Sequence, residues 1–155
     1  MTDNMTPASF FAENGYLVLR SFLPEPLLSV AHIYALKMQA QGKMDDGDEH
    51  VPGTPCLYGD PLMDTLLDCV VPDIERGLGM KLFQNYSYFR IYQNGDKLVR
   101  HVDRGASEIA MTLTLGFDAN EAWPIFVETA DGQSHKQLLA PGDTMVYRGC
   151  ERPHW

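Results

Sequence analysis

Basic residues are scarce in this chain. Its 12 lysines and arginines face 21 aspartates and glutamates, leaving a formal charge of −9 over 155 residues. Such a surface has no general attraction for nucleic acid or anionic membrane and disfavours a nucleic-acid substrate. Cysteine is scarcer still. Cys56, Cys69 and Cys150 are odd in number and widely spaced, which argues for reduced thiols in a cytoplasm rather than a disulfide framework. They also lack the paired C-x-x-C spacing of a zinc site. No apolar run reaches the ~18–20 residues of a membrane span. The opening M-T-D-N-M-T-P-A-S-F-F carries an early acid and no basic n-region, unlike a signal peptide. Internal repeats and low-complexity tracts are missing too. What remains is an ordinary soluble composition, 45% hydrophobic and 21% charged, at a length that suits one domain with a proper core.

Helix signals come first. Thr6-Pro7 reads as an N-cap and first helical residue, and Asn14-Gly15 as the stop. Tyr16–Leu19 reads as a strand. A helix is expected from about Pro24 to Gln41, with Leu27, Leu28, Val30, Ala31, Ile33, Leu36 and Met38 packing one face on something large. Residues 43–59 turn polar and irregular, which predicts a mobile lid or substrate-binding loop with Tyr58 as its anchor. His50, crowded among Asp45, Asp46, Asp48 and Glu49, reads as part of a solvated acidic loop rather than a second metal site. Asp60-Pro61 caps another helix, with a stripe of Leu62, Leu66, Leu67, Val70 and Val71, and Pro72 is expected to bend or restart it.

Strand signals follow. Residues 82–92 are aromatic, and alternation puts Tyr86, Tyr88, Arg90 and Tyr92 on one face. Asn94-Gly95 marks a turn before a strand over 97–103. Further strands are expected at 109–115, 124–128, 136–139 and 144–147. Helices followed by many short strands predict an α+β, mainly β, architecture: an antiparallel sandwich or barrel with helices on one side.

The chemistry concentrates in His101-Val102-Asp103. On a strand these two side chains project to one side, about 6–7 Å apart. Pro153-His154-Trp155 offers a third ligand. Two histidines and a carboxylate on one face of a metal leave open positions opposite, an arrangement suited to non-heme Fe(II) and oxygen chemistry. His135, by contrast, reads as a structural or surface histidine, and Trp123 and Trp155 as packing residues.

Tyr92-x-x-Gly95-x-x-Leu98-x-x-His101-x-Asp103-Arg104, then E-I-A-M-T-L-T-L-G, W-P-I-F-V and L-x-P-G-D-x-x-x-Y-R-G-x-x-x-P-His154, resembles the Fe(II)/2-oxoglutarate-dependent dioxygenases, nearest their prolyl-hydroxylase-like branch. The early N-G-Y-L-V-L-R-S-F-L-P is similar to the opening of such proteins. The resemblance implies a double-stranded β-helix of the jelly-roll kind, with His101, Asp103 and His154 as iron ligands. It also implies Fe(II) and 2-oxoglutarate as cofactors, O2 as oxidant, and hydroxylation of an unactivated C–H bond in a peptide or small molecule. Tyr92 and Tyr88 are then candidates to hydrogen-bond the co-substrate, and Arg104 to sit on the rim. In the family a basic residue on the strand after the second histidine holds the 5-carboxylate. The chain ends one residue past His154, so the favoured reading is of a truncated domain lacking that strand; the other is that Arg90 or Arg100 supplies the cation. Two alternatives stand beside this one: a cupin-like metal enzyme, and a non-catalytic domain with an incomplete co-substrate site.

Overall fold

The structure, a computed structural model, describes residues 5–155; Met1–Asn4, the start of the N-terminal stretch read above, lie outside the described residues. Helix α1 (Pro7–Asn14) begins where expected. The Thr6 hydroxyl accepts from the Ser9 amide, and Gly15 closes the helix at φ 75°, a left-handed conformation that glycine takes without strain. There follow β1 (Tyr16–Leu19), α2 (Glu25–Ala40), β2 (Asp45–Gly47), β3 (Pro52–Tyr58), α3 (Pro61–Leu78), β4 (Tyr88–Arg90), β5 (Ala110–Leu113), β6 (Pro124–Glu128), β7 (Ser134–Leu138) and β8 (Thr144–Tyr147). All pairings are antiparallel: β1-β8-β5, β2-β3-β4 and β6-β7.

Strand β8 is buried along its whole length because both faces are covered. Val146 packs with Leu17, Phe11, Ile74 and Leu78, joining the sheet to α1 and α3. Met145 and Tyr147 point the other way, toward Tyr16, Leu139 and Val127 of β6. Period-2 alternation on β1 and β8 therefore builds two cores from two short strands. A third cluster, Ala31, Ala35, Met63 and Phe89, ties α2 and α3 to β4.

Several expectations change. On α2 the buried residues are Ala31 and Ala35, whereas Leu27, Val30, Ile33 and Leu36 are 45–55% exposed. Small residues let the helix approach its neighbours, and the larger apolar ones face outward. Helix α3 runs unbroken through Pro72, as the carbonyl that proline leaves unpaired lies on an exposed stretch. Its inward residues are Met63, Val70, Ile74 and Leu78. Residues 43–59 are not an irregular loop. They form the β2–β3 hairpin, and β3 pairs with β4 through Cys56↔Arg90, Leu57↔Phe89 and Tyr58↔Tyr88. Tyr58 is 55% exposed, so the ladder rather than that ring anchors the segment. The aromatic stretch is a strand only at Tyr88–Arg90, and residues 97–103 form no regular strand beyond a single bridge at His101.

Candidate metal centre

That single bridge carries the site. His101 and His154 face each other antiparallel, the His101 amide donating to the His154 carbonyl at 3.1 Å and the His154 amide to the His101 carbonyl at 2.9 Å. The 153–155 segment also runs beside β6: Phe126 and Trp155 exchange both amide hydrogen bonds, and Glu128 donates to the Pro153 carbonyl at 2.8 Å. Trp155 stacks on Phe126 with ring centres 5.4 Å apart, a packing role as expected. The Asp103 amide donates to the Gly149 carbonyl at 2.8 Å. Three ligand-bearing positions are thus set by main-chain bonds between segments about fifty residues apart in sequence.

The side chains converge accordingly. One Asp103 oxygen lies 3.7 Å from Nε2 of His101 and 3.6 Å from Nε2 of His154, and one donor atom from each residue lies within 4.8 Å of the others. Two ligands bonded at about 2.1 Å to one cation stand at most about 4.2 Å apart, so both carboxylate–imidazole separations fit a shared ion. The far ring nitrogens support this. His101 Nδ1 lies 2.8 Å from the Val99 carbonyl and His154 Nδ1 lies 3.0 Å from the Arg152 carbonyl. A carbonyl can only accept, so each Nδ1 carries the proton and each Nε2 lone pair is left for a metal. Burial pushes His154 below its ordinary pKa, with opposing pulls from the Arg152 carbonyl and Asp103. That keeps the ring neutral, as a ligand must be.

Gly149 is a residue packed against the cluster that sequence reasoning passed over. A Cβ there would stand 2.2 Å from Oδ2 of Asp103 and 2.6 Å from the Ser107 carbonyl. Only glycine lets this turn lie against the carboxylate, and the quoted Y-R-G of the motif was its one signal. Tyr147 is a second such residue. Its ring centre is 4.5 Å from that of His154, and burial, then the charge of Asp103, pushes its hydroxyl pKa up.

Tyr88, Arg90 and Tyr92 are brought together. The Arg90 guanidinium donates to the Tyr88 hydroxyl at 3.0 Å and lies 5.2 Å from the Tyr88 ring centre and 5.5 Å from that of Tyr92. Its partner is Asp48, at 2.5 Å, and the Tyr88 hydroxyl also donates to Asp48 at 2.8 Å. Asp48 accepts in turn from the amides of His50 and Val51, both at 2.9 Å. The His50 ring stacks on His101, centres 4.3 Å apart and planes 23° from parallel. The solvated acidic loop expected here is therefore corrected. Asp48 and His50 link the Arg90 cluster to the His101 ring, and nothing in their spacing announced it. Arg100 is committed elsewhere, to Glu128. Arg104 lies over the Tyr86 ring, 6.0 Å from its centre, on the rim. His135 stacks on Tyr16 at 4.8 Å, a packing contact.

No protein-family model and no curated protein sequence matches the chain. Solved structures do. A prolyl-4-hydroxylase from Pseudomonas putida superimposes with a TM-score of 0.76 at 22% identity, over 95% of this chain and 86% of that one. A prolyl hydroxylase from Trichoplax adhaerens, solved with a hypoxia-inducible-factor oxygen degradation domain peptide, gives 0.75 at 15% identity, over 97% and 80%. HygX from Streptomyces hygroscopicus, solved with nickel, 2-oxoglutarate and hygromycin B, gives 0.64 at 12% identity, over 99% and 80%. The three alignments cover 95–99% of this chain. The chain has the fold of the 2-oxoglutarate-dependent oxygenases, with prolyl hydroxylases among its structural neighbours.

Proposed function

We propose that the chain is a single-domain Fe(II)- and 2-oxoglutarate-dependent oxygenase that hydroxylates an unactivated C–H bond of a peptide or small molecule. One observation carries this reading. Both imidazoles of a His-Asp-His cluster have their Nε2 lone pairs freed by Nδ1–H bonds to carbonyls, on a fold whose neighbours include a metal- and 2-oxoglutarate-bound enzyme. His101, Asp103 and His154 hold the iron. When bound, the iron and keto acid supply O2 activation coupled to decarboxylation of 2-oxoglutarate to succinate. The remaining work belongs to the chain. Three protein ligands would leave coordination positions for the keto acid and O2, and Asp103 would supply the anion that offsets the cation. Tyr88, Arg90 and Tyr92 form the co-substrate side, with hydroxyls and a guanidinium to receive carboxylate oxygens. His50 and Tyr147 cover the ligand rings and narrow the access of water.

The three thiols are unpaired and fit a reducing cytoplasm, and no described helix is long and apolar enough to cross a membrane. The test is succinate formation from 2-oxoglutarate under air with Fe(II), with and without candidate peptides. Iron-dependent succinate that vanishes in Asp103→Ala supports the reading. Succinate formation unchanged in that variant overturns it.

A further inference from the structure

Resting on the oxygenase reading, we propose that Arg104, the hydroxyls of Tyr86 and Ser107 and the paired rings of Tyr58 and Tyr86 form a substrate subsite beside the metal centre. It selects a substrate that bears a carboxylate next to a flat apolar group.

Arg104 is set apart by what it lacks. Two arginines adjoin ligands of the triad in sequence. Arg100 is committed to Glu128, whereas no carboxylate among the described residues stands within 4.0 Å of Arg104. Glu49 is turned to His50 instead, at 3.8 Å. Arg152, two residues before His154, packs its side chain against Gly15. On a chain with a formal charge of −9, an exposed and unpaired guanidinium is a local attractor for an anion that the surface otherwise repels.

Donors converge on it. Arg104 Nη2 donates to the Tyr86 hydroxyl at 3.4 Å, and that hydroxyl lies 3.3 Å from Oγ of Ser107. The guanidinium keeps further N–H groups free, and both hydroxyls can turn a hydrogen outward, so a carboxylate here has several donors to accept from. The apolar part is next to them. Tyr86 lies under the guanidinium carbon, 6.0 Å away, and the Tyr58 ring stands 4.4 Å from the Tyr86 ring with planes 33° apart. Tyr58 is 55% exposed, and its ring does not anchor the hairpin. An exposed aromatic pair beside a cation is a surface on which a flat apolar group stacks.

The subsite is tied to the metal ligands. Arg104 follows Asp103, so its guanidinium stays within about 11 Å of the Asp103 Cα. The Arg104 carbonyl accepts from the Ser107 amide at 2.8 Å and from the Cys150 thiol at 3.1 Å. The turn of 104–107 is thereby pressed against the same Gly149 that backs Asp103. The β2–β3 hairpin borders both places, with His50 on the His101 ring and Tyr58 on the Tyr86 ring. About three residues of extended chain, or a small acid of equal length, covers the distance between them.

The experiment is calorimetric titration of phenylacetate and its uncharged match phenylacetamide into the full-length Co(II)-loaded chain. Saturating 2-oxoglutarate is present, so that a probe carboxylate does not bind the metal. N-acetylglycylphenylalanine and its C-terminal amide repeat the comparison for a peptide source. The wild type should bind the acids about tenfold or more tighter than the amides, the scale of one charge-assisted contact. Arg104→Gln should bring each acid to the affinity of its amide and leave the amides unchanged, a loss of discrimination that a merely structural role would not produce. Tyr58→Ala should weaken acid and amide alike, and added salt should narrow the preference. The pair with the larger preference tells a peptide end from a small acid. Equal binding of acid and amide by the wild type, a preference that survives in Arg104→Gln, or no binding of either pair overturns the proposal. Failure of the wild type to bind Co(II) or 2-oxoglutarate would instead sink the oxygenase reading beneath it.

Discussion

The two halves of the site are held in different ways. His101, Asp103 and His154 are located by main-chain bonds to one another, to Gly149 and to β6. The side chains of Arg90, Asp48 and His50 are held by contacts that reach from β4 and His101 to the β2–β3 turn, beyond the ladder that fixes the Arg90 backbone. Main-chain bonds between covered segments do not exchange with small anions, whereas a carboxylate–guanidinium pair does. A metal site needs the first kind of support and a co-substrate seat benefits from the second.

The comparison is broken most severely at the carboxylate. Asp103→Ala removes one of three ligands and the charge that balances the cation, and Co(II) affinity should fall by about 100-fold or more. Because the Asp103 backbone bond to Gly149 survives, the melting temperature of the metal-free chain should stay nearly constant. Titration of Co(II) absorbance alongside thermal melts checks both halves of that statement.

Gly149→Ala attacks the same carboxylate from behind. The added methyl displaces Asp103 or the Ser107 carbonyl, and metal affinity should drop by about tenfold, the scale seen when the support of a ligand is lost. An affinity equal to wild type would show that the close approach has no bearing on the ligand.

Asp143 tests the framework beneath. It is buried and takes the Ser21 amide at 2.8 Å, the Ala140 amide at 3.0 Å and Arg20 at 2.6 Å, pinning the turn into β8. Burial alone would raise its carboxyl, but those donors hold it below the ordinary value. A carboxylate depressed in the folded state adds stability that is present above about pH 4 and is lost as pH falls through the depressed value. Asp143→Asn should cost about 1–3 kcal/mol at pH 7, and the difference from wild type should shrink at pH 3. Urea unfolding at the two pH values measures it.

His50→Ala separates the halves from the other side. His50 stacks on His101 but is absent from the ligand cluster, so Co(II) affinity should change by less than about threefold. A loss comparable to that of Asp103→Ala would make His50 a ligand. Smallest of all is Ile33→Ser on the outward face of α2, where 54% exposure predicts a stability change within about 0.5 kcal/mol.

Local signals carried most of the fold. Thr6, Gly15, Asp60 and Gly79 cap their helices as their side chains or lack of one dictate, and alternation located β1, β5, β6 and β8 closely. That His101, Asp103 and His154 would come together was legible in the spacing of His-x-Asp and the later Pro-His. What escaped was long-range. Residues 43–59 look irregular alone, since Gly47 and Gly53 and the acids mask a hairpin that exists only because β4 pairs with it. The contacts of Asp48 and His50 depend on that pairing, so no local pattern could reveal them. The face that α2 buries was misread for a related reason. Ala31 and Ala35 are chosen by close approach to a neighbour, which periodicity does not record.

The central claim is that this cluster takes iron and a chelating keto acid together. Anaerobic addition of 2-oxoglutarate to the Fe(II)-loaded chain tests it most directly. The account predicts a visible charge-transfer band that rises with both components and is absent from Asp103→Ala. Iron bound with no such band at saturating 2-oxoglutarate, or a band that survives in Asp103→Ala, would contradict it.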